Sequence, residues 1–473
     1  MKYSLKITQE DLDRLKKILF KDLPKENGAF LLAGWRRYPE GAELLVRRVV
    51  EIPQEDFRVK QKTRLEIATR AINGLIALCE VNNLGAVLCH SHGEAWDYSP
   101  SDDFGEKRIL NTLRSCAPKI PTASLLAFPS GYSGRFWEER SSTPLDHLTV
   151  LGRSITKIHF EKDINLIPIV SELYDRQVRA FGKVGQEKIS QTKVGIVGVG
   201  ATGSCTAEQL VRLGVRDLIL VDHDLFVPSN STRVYGSFAS QCEPKWFNFL
   251  TRQKARKINI VAKHLRGIRK EVSVKTIFDN IVSEDAAKTL LDRDVIFCCT
   301  DDHWGRSVIT QIAYQYMIPM INMGVRIDSN EGKIVDGTGV VHVIRPKKPC
   351  LWCNDYIRSD QIRAESMLTD QRESLLREGY VAEVGTNAPS VISLTTTVSG
   401  IAVTMFIQLI TDFMGSAGDI FTLRLDILSG RVSRGDCPVR TNCICRKVEG
   451  YGDLKPLNTI KDSDFLKKLR GKN

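Results

Sequence analysis

The chain has 473 residues, of which 42% are hydrophobic and 26% are charged, values that are ordinary for a soluble globular protein of two or three domains. The formal net charge of +11 favours anionic partners such as nucleotides or an acidic small protein, although a solvated basic surface without a partner would carry the same charge. The first residues, MKYSLKITQEDLDRLKK, lack the apolar region of a secretory signal. We therefore expect a cytoplasmic protein whose 12 cysteines are metal ligands, catalytic groups or core residues rather than disulfides.

The first third of the chain alternates strand-like and helix-like segments. Lys62–Asn82 has apolar residues near the 3.6-residue period of an amphipathic helix. Four segments have the apolar content of strands: Gly28–Gly34, Glu43–Ile52, Leu84–Cys89 and Thr122–Phe128.

Two histidines follow the third of these strands and suggest a metal site. His90 and His92 lie at i and i+2 on an extended segment, so both imidazoles point to the same side and can bind one ion. Asp102 follows ten residues after His92. Three such ligands leave one position of a tetrahedral zinc open for a water molecule, which zinc activates near neutral pH. Glu26, just before the first predicted strand, is a candidate general base.

The order Glu26, His90-Ser91-His92 and Ser99-x-x-Asp102 resembles the JAB/MPN (JAMM) metalloprotease family over about residues 1 to 150. The resemblance implies an α+β domain that binds Zn²⁺ through His90, His92 and Asp102, with Glu26 as the base and Ser99 near the oxyanion of the tetrahedral intermediate. It also implies cleavage after the C-terminal glycines of ubiquitin-like proteins.

The spacing before the serine leaves two registers for the third ligand. Six residues separate His92 from Ser99, whereas seven are more usual in the family. A seven-residue spacer would place the serine position at Pro100 and the ligand at Asp103. We prefer Ser99 and Asp102 because that choice keeps both residue types.

From Val194 onward the pattern changes to repeated strand–loop–helix units, which predict a Rossmann-like, doubly wound, mainly parallel α/β domain. Val391–Ile410 has 20 residues without a charge, long enough for a membrane helix. Its threonines and serines favour a buried helix instead. The predicted strands are Val194–Val199, Asp217–Val221, Val274–Ile277, Val295–Cys299 and Met320–Met323.

A glycine-rich motif follows the first strand of this second region. Gly198, Gly200 and Gly203 let the backbone approach phosphates at the N-terminus of a helix. Asp222 ends the next strand, where a carboxylate can accept the ribose hydroxyls. The motif predicts a bound nucleotide, and taken alone it would suit an NAD-dependent dehydrogenase.

The residues after Asp222 favour another class. The segment Asp222–Arg233, DHDLFVPSNSTR, resembles the Asp-x-Asp…Ser-Asn…Arg signature of the ubiquitin-activating enzyme family, which includes ThiF-like activators of sulfur-carrier proteins in thiamine and molybdopterin synthesis. Tyr174–Arg179 matches the family's Tyr-x-Arg-Gln motif, and Thr300–Asp301 with Arg306 matches its Thr-Asp motif. The ordered set makes a dehydrogenase the weaker interpretation.

The resemblance implies ATP and Mg²⁺, and attack of a C-terminal carboxylate on the α-phosphate to form an acyl-adenylate. Arg233 and Lys254 would neutralise the developing charge, and Asp301 would hold Mg²⁺. Taken singly, Lys254 could be a solvated helix charge and Asp301 a helix N-cap. Binding of the nucleotide is implied for Gly198, Gly200, Gly203, Asp222, Asp224, Asn230, Arg176 and Arg306.

The cysteines suggest a second zinc site and the lack of a nucleophile. Cys350, Cys353, Cys443 and Cys445 could form a structural Cys₄ site, in which Cys437 could replace one of the later pair, or they could be core cysteines. Asn354–Asp436 contains no cysteine, so we expect adenylation without a thioester on this chain. Cys242, in a loop-like stretch, is the one exception.

These interpretations divide the chain into a JAB/MPN-like domain (1–155), a linker (156–170), a ThiF-like domain (171–450) and a basic tail (451–473). One chain would trim or remove a ubiquitin-like protein and also adenylate its C-terminus, with a conjugating enzyme as one acceptor. Such a chain resembles the bacterial fusion proteins of ubiquitin-like modification systems, and the resemblance implies a role in cofactor synthesis, protein tagging or phage defence. The alternatives are a sulfur-carrier activator for cofactor synthesis and a silent binding scaffold. We expect a homodimer and neither nucleic acid nor membrane as a partner.

Overall fold

The computed structural model describes residues 2–93, 97–138, 141–160, 172–241, 255–367 and 389–462. The chain divides into two compact units. The first contains Met1–Asn165, Gln315–Met317 and Val448–Pro456, and the second contains Leu166–Tyr314, Ile318–Lys447 and Leu457–Asn473.

The first unit is built around a nine-stranded mixed sheet with the order β11-β10-β1-β3-β2-β6-β7-β8-β9. A separate two-stranded sheet pairs β4 with β5. The strands are β1 (Lys2–Thr8), β2 (Gly28–Tyr38), β3 (Gly41–Glu51), β4 (Phe57–Lys60), β5 (Leu65–Ile67), β6 (Gly85–Ser91), β7 (Thr122–Phe128), β8 (Gly131–Trp137), β9 (Ser142–Pro144), β10 (His147–Leu151) and β11 (Ile155–His159). The helices are α1 (Gln9–Leu19), α2 (Thr69–Asn82) and α3 (Pro100–Cys116).

The helix predicted over Lys62–Asn82 is wrong in its first part. Leu65–Ile67 forms strand β5 and pairs with β4, and α2 begins only at Thr69. Ala68 N–H donates to Asp56 O at 2.7 Å, a tertiary contact that fixes an extended conformation where the local pattern favoured a helix. The loop of this hairpin contacts Glu26, two residues before β2, because Glu26 N–H donates to Gln61 O.

The first unit also contains a short segment from near the end of the chain, where the sequence predicted a tail from residue 451. Asp453 N–H donates to Trp35 O at 2.7 Å, and the Asp453 carboxylate accepts Arg37 N–H at 2.8 Å. Residues 451–456 therefore differ from the predicted tail, because backbone contacts that composition does not reveal hold them in this unit.

The second unit is a Rossmann-like α/β fold with an antiparallel extension. Its sheet order is β14-β13-β12-β15-β16-β17-β18-β19, and the pairs from β14 to β16 are parallel. The strands are β12 (Lys193–Val197), β13 (Asp217–Val221), β14 (Ser273–Ile277), β15 (Val295–Cys298), β16 (Met320–Asn330), β17 (Lys333–Ile344), β18 (Thr422–Asp426) and β19 (Arg431–Gly435). The helices are α4 (Asp175–Gln191), α5 (Ala201–Leu213), α6 (Lys257–Ile268), α7 (Glu284–Lys288), α8 (His303–Gln315), α9 (Ser359–Glu365), α10 (Ile392–Thr411) and α11 (Ile444–Val448).

Strand order places a ligand site in this unit. The chain runs outward from β12 to β13 and β14 on one side, and from β15 to β16 on the other. In open α/β sheets, ligands bind beyond the carboxyl ends of the strands where the order reverses. The glycine-rich motif follows β12 directly, at this point of reversal.

Helix α10 is the one described helix long and apolar enough to cross a membrane by length and composition. It packs inside the second unit, against α5 and β16. The rings of Phe406 and Phe297 lie 5.8 Å apart, and Ser399 Oγ donates to Thr202 O at 3.1 Å. These contacts are those of a core helix of an α/β domain.

Candidate nucleotide site and candidate metal centres

The loop between β12 and α5 and the first turn of α5 leave no space for a side chain at Gly198 or Gly203. Gly198 has φ +83°, and a Cβ there would lie 2.8 Å from Cys299 O. A Cβ on Gly203 would lie 1.8 Å from Gly198 O. Gly200 is the N-cap of α5. Positions 198 and 203 therefore require glycine, and the free N–H groups at the start of α5 are available to an anion.

Asp222 ties this loop to the end of the neighbouring strand β13. Its side chain is buried, with 6% of the residue exposed. Oδ2 accepts Val199 N–H at 2.7 Å, and Oδ1 accepts Asp224 N–H at 2.8 Å. A carboxylate oxygen can accept more than one hydrogen bond, so Asp222 keeps acceptor capacity for a ribose hydroxyl.

Lys257, which our sequence analysis missed, joins the same site. It is the first residue of α6 and is 7% exposed. Its Nζ lies 2.7 Å from Asp224 Oδ2 and 3.8 Å from Asp222 Oδ2. Burial works to raise the pKa of Asp224, but the attraction and hydrogen bond of Lys257 outweigh it and lower this pKa. The lysine predicted for this role, Lys254, lies outside the described residues.

A sequence signal for Lys257 does exist. Lys257, Val261 and Leu265 are spaced by four residues and are all buried along α6. A lysine in register with an apolar stripe must bury its charge, which is costly unless the charge is paired. Such a lysine at the start of a helix is a better candidate for the cation of the nucleotide site than a lysine upstream of the apolar stripe.

Asn230 and Arg233 lie in the turn after Asp224. Asn230 is buried, and its Oδ1 accepts Val227 N–H at 3.1 Å. Its carbonyl accepts Arg233 N–H at 3.0 Å, while Arg233 Nη1 donates to Ser229 O at 3.2 Å. The contacts seen for Asn230 shape the turn that carries Arg233, and its predicted phosphate contact stays a prediction.

Two aspartates, Asp301 and Asp302, follow β15 and differ in their contacts. Asp301 is exposed, whereas Asp302 accepts hydrogen bonds from the Thr300 hydroxyl and Gly305 N–H. The N-cap interaction considered for Asp301 therefore belongs to Asp302, and the Mg²⁺ role of Asp301 stays a prediction. Arg306 is buried, with its guanidinium 4.9 Å from the Tyr356 ring centroid. Arg176 is exposed on α4.

The four predicted cysteines converge in the second unit. All four are buried, and their sulfur atoms lie within 4.8 Å of one another. Sγ of Cys350 is 3.3 Å from Cys443 and 3.6 Å from Cys353, and Cys353 is 3.9 Å from Cys445. Zn–S bonds of ~2.3 Å at tetrahedral angles separate sulfurs by about 3.8 Å, so this set fits a Zn²⁺ ion. Cys437 is not part of the cluster.

Hydrogen bonds within the cysteine cluster shift the thiol pKa values in opposite directions, because they raise the pKa of Cys350 and of Cys445. Hydrogen bonds from Cys350 and Cys445 lower the pKa of the Cys443 thiol far below its usual value. Thiolates are the form that binds zinc.

The two histidines and Asp102 converge in the first unit. Their candidate ligand atoms lie within 4.8 Å of one another. Nε2 of His90 lies 3.4 Å from Asp102 Oδ1, and Nε2 of His92 lies 3.4 Å from Asp102 Oδ2. Ser91, between the histidines, turns the other way and donates to Leu19 O at 2.8 Å. His90 Nε2 is buried and makes no hydrogen bond among the described residues, which fits a metal ligand.

Ser99 holds Asp102 through a capping box at the start of α3. Its N–H and its hydroxyl both donate to Asp102 Oδ2, each at 2.7 Å. The alternative ligand, Asp103, is exposed and pairs with Arg135 at 2.5 Å. Of the two registers, the geometry favours Ser99 and Asp102. The contacts of Ser99 position the ligand, and its oxyanion role stays a prediction.

Glu26 has the surroundings of a general base. It is buried, and its Oε1 lies 3.6 Å from His92 Nε2. Burial raises its pKa, although His92 and His90 partly oppose this effect. A raised pKa suits a group that must take up and return a proton near neutral pH.

A second buried glutamate, Glu106, was missed by the sequence analysis. Its Oε1 lies 3.7 Å from His90 Nδ1. The available signal was its position four residues after Asp102 on α3, which places the two on one helix face.

The glycine loop, Asp222 and Lys257 together define a nucleotide-binding α/β protein. Residues 174–446, more than half of the chain, match the sequence profile of the ThiF family. The chain therefore belongs to the ThiF family.

Three relatives match the chain over part of its length. The chain is 25% identical over 183 residues to the sulfur carrier protein ThiS adenylyltransferase of Bacillus subtilis, covering 38% of this chain and 49% of that protein. It is 26% identical over 211 residues to ubiquitin-like modifier-activating enzyme 5 of Culex quinquefasciatus, covering 41% and 46%. It is 26% identical over 151 residues to the molybdopterin-synthase adenylyltransferase of Haemophilus influenzae, covering 32% and 58%. The chain thus spans about half the length of these relatives.

Among solved structures, the chain matches Escherichia coli MccB with AMPCPP and MccA. The match covers 59% of this chain and 74% of that one, at 16% identity and a TM-score of 0.45. At this score the likeness carries nothing about the site. The family match begins at residue 174, so the JAB/MPN resemblance rests on the residue pattern of the first unit alone.

Proposed function

We propose that the second unit uses ATP to adenylate the C-terminal carboxylate of a small ubiquitin-like or sulfur-carrier protein. The observation that carries this proposal is the cluster of the glycine loop, Asp222 and Lys257 at the ends of adjacent strands β12 and β13. The names of the ThiS, molybdopterin-synthase and ubiquitin-like modifier relatives support the substrate class. They support a sulfur carrier at least as well as a ubiquitin-like modifier.

The role proposed for each site residue follows from its charge. The N-terminus of α5 would receive the phosphates, and Asp222 would accept the ribose hydroxyls. The substrate carboxylate attacks the α-phosphorus, a P–O bond to the leaving group breaks, and pyrophosphate departs. Lys257 and Arg233 would neutralise the charge that builds on these oxygens. Asp301 would hold Mg²⁺, which supplies further positive charge beside the phosphates.

The adenylate would pass directly to an external acceptor. Asn354–Asp436 contains no cysteine. The buried Cys298 and the half-buried Cys299 have thiol pKa values raised by desolvation, which disfavours a nucleophilic thiolate. Cys242 lies outside the described residues. We therefore propose adenylation without a thioester on this chain, with a conjugating enzyme or a sulfur donor as the acceptor. A homodimer and a cytoplasmic location are part of the same proposal.

The test is ATP–pyrophosphate exchange with a purified candidate carrier that ends in glycine. We expect exchange that depends on the carrier and is lost in Asp222→Ala. Lys263→Ala, an exposed lysine of α6, is the matched control and should exchange like the unmodified protein. Tight carrier binding without exchange would instead identify a binding scaffold.

We also propose a second function, zinc-dependent hydrolysis by the first unit after the C-terminal glycine of the same partner class. It is favoured by the convergence of His90, His92 and Asp102 with the buried Glu26. These three ligands would hold Zn²⁺, which supplies Lewis-acid chemistry for attack of water on an amide carbonyl. Glu26 would take the proton of that water and return it to the leaving amine.

The hydrolase is tested with a carrier extended beyond its terminal glycine. We expect the unmodified protein to cleave the extension and Glu26→Gln to lose cleavage while it keeps its zinc. Glu51→Gln, an exposed glutamate at the end of β3, is the control. Cleavage by Glu26→Gln at the normal rate would exclude the role of Glu26.

A further inference from the structure

Glu106 lies behind His90, on the side away from Asp102. It is 6% exposed. Three donors converge on one of its oxygens, because Oε2 accepts Arg135 Nε at 3.1 Å, Arg135 Nη2 at 2.9 Å and Trp137 Nε1 at 3.2 Å. The other oxygen, Oε1, is buried without a hydrogen bond among the described residues and faces His90 Nδ1 at 3.7 Å.

A buried carboxylate oxygen without a partner is costly and therefore needs an explanation. Arg135 alone could satisfy both oxygens with its two parallel N–H groups, which is the usual geometry of an arginine–carboxylate pair. Here both N–H groups go to Oε2, which leaves Oε1 available to the imidazole. The arrangement is the one expected if Oε1 has another partner in the working protein.

The two nitrogens of His90 have different neighbours. Nε2 faces Asp102, whereas Nδ1 faces Glu106. An ion bound at Nε2 leaves the single ring proton on Nδ1, and that N–H then requires an acceptor. A movement of about 0.7 Å would bring Nδ1 and Oε1 to a normal hydrogen-bond distance.

We propose that Glu106 is a positioning residue for the metal site, which accepts the Nδ1 proton of His90 and so fixes the ring with Nε2 towards the ion. This inference rests on the proposed zinc site of the first unit. Arg135 holds Glu106 in place, and its guanidinium also lies 3.7 Å from the Tyr98 ring centroid. Tyr98 in turn packs edge-on against His90, with ring centroids 5.9 Å apart. Arg135 therefore restrains His90 indirectly, through the carboxylate of Glu106 and the ring of Tyr98.

The alternative is that Glu106 only neutralises Arg135 in the core. In that case its removal would weaken the fold by the same amount with and without metal. A positioning role predicts instead a loss of metal affinity, because outer partners of metal-binding histidines typically contribute 10- to 100-fold to it.

The experiment compares Glu106→Gln with Glu43→Gln in the full-length protein. Glu43 pairs with the buried Lys6 at 3.1 Å, so its replacement removes a similar ion pair far from the histidines in sequence. Zn²⁺ affinity is measured by competition with a chelator, and Co²⁺ loading distinguishes this N/O site from the cysteine site by the thiolate absorption bands of the latter. We expect Glu106→Gln to lose about 10- to 100-fold in affinity at the N/O site and Glu43→Gln to lose less than about 2-fold.

The outcomes separate the inference from the proposed function. If the unmodified protein has no ion that depends on His90 and His92, the proposed hydrolase fails. If it has that ion and Glu106→Gln binds it equally tightly, the positioning role of Glu106 is overturned. Should Glu106→Gln not fold, Glu106→Asp keeps the charge beside Arg135 and withdraws it from Nδ1, and the same loss of affinity is expected.

Discussion

Lys257 Nζ lies 2.7 Å from Asp224 Oδ2 and 3.8 Å from Asp222 Oδ2, so the first residue of α6 is tied to the acid pair that follows β13. The lysine is buried, whereas the Asp224 side chain is 53% exposed. An incoming phosphate could therefore replace Asp224 as the partner of Lys257 without leaving a buried carboxylate unpaired. The pair places a cation at the site before the nucleotide arrives.

Lys257→Ala should reduce carrier-dependent ATP–pyrophosphate exchange by about 100-fold or more, the usual loss when one donor to a developing oxyanion is removed. The pKa of Asp224 should rise as well, because Lys257 lowers it in the folded protein. NMR titration of Asp224 measures this second effect. Unchanged exchange would assign the role to another cation, such as the predicted Lys254.

Gly203→Ala should abolish ATP binding, because its methyl group would lie 1.8 Å from Gly198 O and the backbone would have to move. Strain of this kind costs about 1–3 kcal/mol of stability. Gly267→Ala on α6 is the control, since no atom lies within 4 Å of the added methyl group and alanine favours a helix. Calorimetric ATP titration and urea unfolding test both variants.

Glu26→Gln should stabilise the metal-free first unit at pH 7. Burial raises the pKa of Glu26 in the folded state, so the folded protein binds this proton more tightly than the unfolded one. The contribution of this proton to the free energy of unfolding is then fully present below the unfolded pKa of about 4.3. It is lost as the pH rises through the folded pKa of Glu26. Glutamine does not ionise, so Glu26→Gln avoids the loss of stability that ionised Glu26 causes at pH 7. The stability gained by the substitution should vanish near pH 4. Hydrogen exchange of the β2 amides reports it, and an equal effect at both pH values would contradict the prediction.

Cys443→Ser should release about one zinc per chain and lower the unfolding temperature, because a closed Cys₄ site contributes to folding. Cys437→Ser should keep the zinc, since Cys437 lies outside the cluster. Metal analysis together with thermal unfolding distinguishes the two variants. Loss of zinc in Cys437→Ser would restore the alternative ligand set.

Sequence patterns predicted the parts of these sites that local chemistry defines. The glycine loop and Asp222 follow from spacing, and the His90–His92 pair follows from the alternation of an extended chain. Lys257 is in register with the buried Val261 and Leu265, but it was missed because its role depends on Asp222 and Asp224, which follow β13 in another part of the chain. Glu106 was missed because its role depends on Arg135, which β8 brings from elsewhere in the chain. Pairings between segments, including the local β4–β5 hairpin, depend on a partner strand and are not encoded in the period of one segment.

The return of the chain to its first unit has a consequence for synthesis. Gly450 approaches β2 so closely that a Cβ on Gly34 would lie 2.1 Å from its carbonyl oxygen, and Val448–Pro456 belongs to the first unit. Ribosomes synthesise these residues only after residues 166–447, which include most of the second unit. The first unit therefore cannot form all of its contacts before residues 448–456 have been made, and a message truncated before codon 448 would yield a first unit without the segment that packs on β2.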